Sequence, residues 1–302
     1  MWQPANKHLQ EKLLLFAYMF TISSDPEYCV MDSYTYQPIG HVESIFCSRN
    51  GTLRQSGLSQ YARASLTINK TFFTNPDHSL ENISEYSHLW LIWVFHQNTP
   101  STVKAKVSPP RLGGERVGVF STRSPHRPAN IGLTLAKLEK VEGDTVYLSG
   151  IDLVDGTPVL DIKPYIPQYD APHQISEDGA EKATQIVDAD HDDAGIEQTQ
   201  SEIKVPKWVG DPEENLSVIF STRAEKDLEK IDLSKFKWLK SRSELRSALC
   251  DILSSDPRSV YRKTKCSDRM YFTTLDSVHV SAWYDQEVDG MEVLRLKQQQ
   301  DT

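Results

Sequence analysis

SHLWLIWVFHQ, residues Ser87–Gln97, holds an unbroken apolar run from Leu89 to Phe95 that includes two tryptophans. A run of this kind reads as a strand buried on both faces. It ends in His96-Gln97, polar residues at the mouth of a buried strand, where pockets form. Outward from it, the neighbouring elements are short and β-prone, and Gly, Pro and Asn turns separate them. Tyr36–Val42 and Ala64–Asn69 read as the strands before it, with a short capped helix at Ser79–Tyr86. Leu133–Leu138, Thr145–Ile151 and Val159–Ile162 follow it as further ordered or strand segments. The chain contains no G-x-G-x-x-G motif and no unit of strand, glycine loop and helix. The expected fold is therefore mainly β, with a compact β-barrel domain over residues 35–169.

The C-terminal part has a different pattern. Phe220–Leu253 carries an approximately helical apolar period, with lysines and arginines on a solvated face. Met270–Leu275, Val278–Trp283 and Met291–Leu296 alternate like three antiparallel strands, the last preceded by the turn Asp289-Gly290. This predicts a smaller α+β domain over residues 216–298. Between the two, residues 170–215 hold thirteen Asp/Glu against three Lys/Arg, a net charge of −10. Such a stretch reads as a disordered linker. Because the whole chain carries −9, the remaining residues sum to +1. The acidic balance thus does not exclude a nucleic-acid partner, which meets local basic surface.

Residues 1–34 read as an N-terminal extension. Leu13–Ile22 is apolar and follows Lys7 and Lys12, like a signal-peptide core. Glu11 stands beside it and no Ala-x-Ala-like cleavage site follows, so an extension packed on the body or poorly ordered is preferred. No run approaches the roughly 18 apolar residues of a membrane span. Cys29, Cys47, Cys250 and Cys266 form no C-x-x-C pair. That spacing predicts neither a metal site nor a disulfide framework, and favours a reducing compartment, cytoplasmic or nuclear.

Candidate chemistry gathers in four places. GVFSTRSPHRPANIGLT, Gly118–Thr134, sets Arg123, His126 and Arg127 around Pro125 and Pro128. Prolines stiffen a loop and can hold guanidinium groups in place. By itself the segment also reads as a proline-rich turn with incidental arginines. Arg54-Gln55-Ser56 precedes Gly57, where a backbone can approach a ligand closely. His96-Gln97 ends the central strand. Asp152-Leu153-Val154-Asp155 precedes Gly156, and these aspartates suit turn capping and ligand binding equally.

SHLWLIWVFHQ, PPRLGG (Pro109–Gly114), the arginine loop and GIDLVDGTPVLDIKPY (Gly150–Tyr165) stand in one order, with DPRSVYRK (Asp256–Lys263) further on. Together they resemble the TsaA-like, or TrmO, family of S-adenosylmethionine-dependent tRNA (adenine-N6)-methyltransferases. NGTLRQ, KAKVSPPRL and LTLAKLEKVEG make the likeness strongest to animal members. The resemblance implies a β-barrel that is not a doubly wound sheet, S-adenosyl-L-methionine as cofactor, threonine tRNA as partner, and a homodimer. The implied cofactor residues are Arg54, Gln55, Ser56, His96, Gln97, Arg123, Asp152, Leu153, Val154 and Asp155, with Leu133 as an apolar wall. The implied acceptor is N6 of threonylcarbamoyladenosine at position 37. Its threonyl carboxylate suits Arg127 or Arg258, because a guanidinium grips carboxylates in bidentate fashion. Tyr261 and Arg262 stand beside Arg258 as further catalytic candidates. An acylated N6 is a poor nucleophile until its proton leaves, so a base or strong acceptor belongs nearby. No residue stands out for that task. The family pattern has asparagine directly after Arg-Pro, and here the order is Ala129-Asn130. That departure sustains a competing reading, a non-catalytic RNA- or nucleotide-binding module on the same barrel.

Overall fold

The structure, a computed structural model, describes residues 34–98, 103–171, 205–210, 215–266 and 269–299. The readings of Leu13–Ile22 and of most of the acidic stretch lie outside the described residues. The first strands are β1 (Gly40–Ser44), β2 (Ala64–Thr67), β3 (His88–Val94), β4 (Lys106–Val107) and β5 (Val117–Gly118). They are followed by β6 (Ile131–Glu142), β7 (Thr145–Ser149) and β8 (Pro158–Pro164). Six of these close a barrel in the order β1-β2-β7-β6-β3-β8, and β4 and β5 pair separately as a short ribbon. Every barrel neighbour is antiparallel, including the closing pair of β8 with β1. The expected β-barrel is borne out.

β3 differs from its expectation in one respect. A barrel strand has one face toward the interior, and side chains alternate. Leu89, Leu91 and Trp93 are buried inside, whereas Trp90, Ile92 and Val94 are only half-buried on the outer face. Opposite them on β6 stand Leu135, Leu133 and Ile131. The result is a two-stranded apolar stripe on the outside of the barrel, where Leu133 is 50% exposed.

β9 (Ser217–Phe220), β10 (Met270–Leu275), β11 (Val278–Asp285) and β12 (Gly290–Gln298) form the second sheet in the order β10-β11-β12-β9. β9 runs parallel to β12. The helices Thr222–Lys230 and Arg242–Ser254 pack on it, and both start on a serine cap, Ser221 and Ser241, whose side chains accept N–H groups of the first turn. This is the expected α+β part, with one correction there and a second in the barrel part. Phe220–Leu253 is a strand end and two helices, not one helical stretch, because β9 is four residues long and its partner lies some seventy residues on. Ser79–Tyr86 lies across two 3-10 turns, Pro76–Leu80 and Ile83–Glu85, separated by Asn82 at φ 63°. Within the stretch read as linker, Lys207–Gly210 makes one helical turn, and the Val209 carbonyl accepts from Arg111 at 3.0 Å.

The two sheets share one core. Beyond β1 the chain continues through Ile45 and Phe46, both fully buried. Phe46 bridges Val154 on the barrel side and Leu275 of β10 on the other. Asp276, at the turn after β10, donates its backbone N–H to the Ile45 carbonyl at 3.1 Å. Its carboxylate accepts from the backbone N–H groups of Lys237, Trp238 and Leu239 at 3.1, 2.8 and 3.1 Å. Arg63, just before β2, forks onto Glu244 at 2.9 and 3.1 Å and donates to the Trp238 carbonyl at 2.7 Å. Deleting a buried phenylalanine ring costs about 3–5 kcal/mol. Phe46→Ala should lower the melting temperature while leaving one cooperative transition. Two separated transitions in calorimetry of the unaltered protein would show that the sheets unfold independently.

Candidate active site at the barrel mouth

The antiparallel registers bring the ends of β1, β3 and β7 and the starts of β2, β6 and β8 to one mouth of the barrel. Four loops meet there. The Gly57 N–H donates to the Gly150 carbonyl at 2.8 Å. Gly150 sits at φ +69°, a left-handed conformation that glycine adopts without steric cost. This contact lays the Arg54–Ser56 segment against the strand end that feeds Asp152. Arg123 Nη1 donates to Gln55 Oε1 at 3.4 Å. The Phe95 N–H donates to the Asn130 carbonyl at 2.9 Å, and Asn130 Nδ2 returns a bond to the Phe95 carbonyl at 3.5 Å. Asn130, one position later than the family pattern, thus ties the arginine loop to the end of β3. His96 and Gln97 follow at once, both exposed, and the Gln97 carbonyl accepts from Arg49 at 3.5 Å.

The Asp152–Asp155 segment divides its tasks. Leu153 is fully buried, and its carbonyl accepts from Ser44 Oγ at 2.7 Å. Val154 pairs with Phe46. Asp155 is exposed and caps the end of β1, its Oδ1 accepting from the Ser44 N–H at 2.8 Å. Asp152 Oδ1 accepts from Thr134 Oγ1 at 2.6 Å, and Thr134 Oγ1 accepts from Trp93 Nε1 at 2.9 Å. Burial pushes the Asp152 carboxyl above its ordinary value, against the opposing pull of Thr134 and of the Arg123 charge. The sequence reading omitted Thr134 and Trp93. The signal was present: Thr134 is the one polar residue among the inward positions Gly132, Thr134, Ala136 and Leu138 of β6.

Leu133 points the other way. It belongs to the outer stripe, on the face of β6 opposite Thr134, so it can wall a pocket only together with a second surface. Arg127 is half-buried in its own loop, donating to the carbonyls of Thr122 at 2.6 Å and Val119 at 3.4 Å, with its guanidinium 5.4 Å from the Phe120 ring centre.

The C-terminal candidates lie against the same mouth, because Arg54 Nη2 donates to the Arg258 carbonyl at 2.5 Å. Asp256, Arg258, Arg262, Lys263, Cys266, Arg269, Tyr284 and Gln286 line a cavity of about 380 Å³. Arg258 is only 6% exposed. Its Nε and Nη2 fork onto Asp256 at 2.7 and 2.8 Å, and its guanidinium lies 3.6 Å from the Tyr284 ring centre. The bidentate edge expected to meet a ligand carboxylate is therefore occupied by Asp256. Lys263 Nζ reaches the same carboxylate at 2.7 Å. Burial pushes the Asp256 carboxyl up, but the bonds from Arg258 and Lys263 outweigh this and hold it below its ordinary value. Arg262 donates to the Met270 carbonyl at 2.9 Å, and Tyr261 is 69% exposed. Among the described residues, no group of three or more His, Cys, Asp or Glu is placed to hold a metal ion. Likewise, among the described residues no helix is long and apolar enough to cross a membrane.

Two family models match the chain, the tRNA-methyltransferase O N-terminal domain over residues 41–171 and the TrmO C-terminal domain over residues 213–299. A mouse protein named tRNA (adenine(37)-N6)-methyltransferase is 35% identical, with 86% of this chain and 88% of that protein covered. The Escherichia coli protein of the same name is 31% identical, with 88% and 99% covered. Among solved structures, TrmO from Pseudomonas aeruginosa superimposes with a TM-score of 0.58 at 28% identity, covering 88% of this chain and all of that one.

A carboxylate with a lowered folded pKa stabilises above the ordinary aspartate range, and that contribution is lost as pH falls through the folded value. Asp256→Asn should therefore cost about 3 kcal/mol at neutral pH, and the difference from the unaltered protein should shrink toward pH 3. Denaturant unfolding at both pH values measures it.

Proposed function

Because the chain belongs to the tRNA-methyltransferase O family, we propose that it methylates N6 of adenosine 37 in tRNA with S-adenosyl-L-methionine as donor. The observation that carries the reading is the Arg54-Gln55 pair. Gln55 meets Arg123 of the mouth, while Arg54 meets the backbone of the basic C-terminal cavity. One short loop thus touches both the proposed cofactor place, through Gln55, and the backbone beside the proposed acceptor place, through Arg54.

The mouth suits the cofactor's amino-acid end. An exposed guanidinium, Arg123, stands near a desolvated carboxylate, Asp152, and unlike charges in one pocket fit a carboxylate and an ammonium on one ligand. His96, Gln97, Asp155 and the carbonyls of the Asp152–Asp155 segment supply polar edges for ribose and adenine. When bound, S-adenosylmethionine supplies an electrophilic methyl on a sulfonium. The protein's own work is then aim, because transfer needs the reacting atoms about 3–3.5 Å apart and in line.

The acceptor we propose is the threonylcarbamoyl form of the adenosine in threonine tRNA. Its carboxylate would meet Arg262, Lys263 or Arg269 at the cavity, with Arg258 fixed beneath them, and Tyr261 is exposed to meet a base. The partner for the apolar outer stripe is a second copy of this chain. Leu133 is expected at the cofactor yet faces outward, and a second barrel placed over it would complete that wall. The cytoplasm, where tRNA is modified, is the proposed compartment.

The test is to incubate the protein with labelled S-adenosylmethionine and tRNA carrying or lacking the threonylcarbamoyl group. Transfer to the modified tRNA alone is expected. Cofactor binding without transfer to either tRNA would favour the non-catalytic module instead. Arg123→Ala should weaken cofactor affinity and turnover together. Arg262→Ala should leave cofactor affinity intact, slow single-turnover transfer, and lower the salt slope of tRNA binding by about one counterion if it meets a phosphate. In sedimentation, Leu133→Asp should convert dimer to monomer, and an unchanged sedimentation coefficient would remove the outer stripe from the dimer.

A further inference from the structure

Thr134 is 1% exposed, inside the barrel, at a position whose neighbours along β6 are apolar or glycine. A buried hydroxyl must have partners. Its two contacts have a forced direction. An indole N–H only donates, so the Thr134 oxygen accepts from Trp93 at 2.9 Å. The hydroxyl hydrogen is then directed at Asp152 Oδ1 at 2.6 Å, which can only accept when the carboxyl is ionised. The chain Trp93 to Thr134 to Asp152 is thus oriented in one sense and ends on a carboxylate at the barrel mouth.

The upstream end is fixed by shape. Trp93 lies opposite Gly132 in the β3–β6 register. A Cβ on Gly132 would stand 2.3 Å from Trp93 Cε2 and 2.4 Å from Cζ2. Only glycine leaves room for the indole to lie over β6, and Phe95 packs against the same ring at 4.2 Å between centres. The downstream end is fixed as well, since Gly150 turns the chain at φ +69° and its carbonyl is held by Gly57. The charged group whose field reaches the Asp152 carboxyl is Arg123.

We propose that Trp93 and Thr134 are positioning residues of the cofactor pocket, which hold the Asp152 carboxylate in one orientation to accept a hydrogen bond from the ligand's ammonium group. This rests on the reading of the barrel mouth as the cofactor site. Thr134 donates to the ionised form, so its removal raises the pH at which Asp152 takes up a proton. The Arg123 charge lowers that pH, as the Thr134 hydrogen bond does, and it remains in every variant tested.

The experiment uses the full chain with Thr134→Val, which keeps the volume and removes the hydroxyl, Thr134→Ser, which restores it, and Trp93→Phe, which removes only the indole donor. S-adenosylmethionine binding is measured by calorimetry from pH 5 to pH 8, and Asp152 is titrated by carboxyl-carbon NMR in the ligand-free protein. Thr134→Val should weaken binding about tenfold, the scale of one hydrogen bond to a charged group, and move the acid limb of affinity upward. Thr134→Ser should restore both, and Trp93→Phe should give a smaller change of the same sign. Wild-type affinity and an unmoved pH profile in Thr134→Val would overturn the proposal, and Trp93→Phe would decide in the same way if the valine variant does not fold. A wild-type protein that binds no cofactor would sink the reading of the mouth, and with it the ligand role of Asp152. An Asp152 titration that Thr134→Val leaves unmoved would sink the positioning, whatever the mouth binds.

Discussion

Phe46 is paired with two sheets at once, and the rest of the structure follows from that constraint. Its backbone bridges Val154 on one side and Leu275 on the other, and its ring is buried between them. A residue in that position cannot shift toward one sheet without leaving the other. Asp276 reinforces the junction, because one carboxylate accepts three successive backbone N–H groups while its own amide reaches Ile45. Buried amide groups left without partners would each cost a desolvation penalty of about 1–3 kcal/mol. The C-terminal sheet is therefore part of the barrel's own core.

That junction also anchors the loop that carries Arg54 and Gln55. The chain leaves Phe46 as a loop whose Asn50 side chain meets the Phe272 carbonyl and whose Asn50 carbonyl accepts from Thr273 at 2.8 Å. A few residues on, the same loop presents Arg54 and Gln55. The loop is held along one side by β10 and at its end by Gly150, so its two polar side chains have little freedom. Arg54 and Gln55 lie in a bend of this loop and reach different neighbours, the Arg258 carbonyl and the Arg123 guanidinium.

Much of this was legible in the residues. The apolar run of β3, the glycine and proline punctuation and the three alternating C-terminal strands sufficed for a barrel and an α+β part. Arg123, Gln55, Asp152 and Asp155 lie in loops that join barrel strands at one mouth, and local turn patterns mark such loops well. Long-range pairing was not legible. β9 is four residues whose partner lies in β12, and no local pattern reports a parallel strand so far away. The outward direction of Leu133 follows from the alternation of β6, which fixes a face only once the register is known. Thr134 was missed because one threonine in an apolar strand reads as ordinary β propensity until its hydroxyl is seen to face a carboxylate.

The fate of Arg258 shows how burial changes the role of a charge. A guanidinium removed from water needs a counter-charge and donor satisfaction, and here Asp256 supplies both through two parallel bonds, while the Tyr284 ring covers one face of the guanidinium. Such a pair is costly to break, so an incoming anion gains little by competing with Asp256 for the same edge. The positive field of Arg258 is also largely neutralised at close range by that carboxylate. The cations that retain a field into the cavity are those around it, Arg262, Lys263 and Arg269, of which Lys263 shares Asp256. Arg258 is then the floor that fixes the Asp256–Lys263 geometry, and the proposed recognition of an anionic group would fall to the rim. The same logic removes the objection raised by a net charge of −9. What a phosphate or carboxylate at that cavity meets within a Debye length of about 8–10 Å is the rim, whose described residues include Arg262, Lys263 and Arg269.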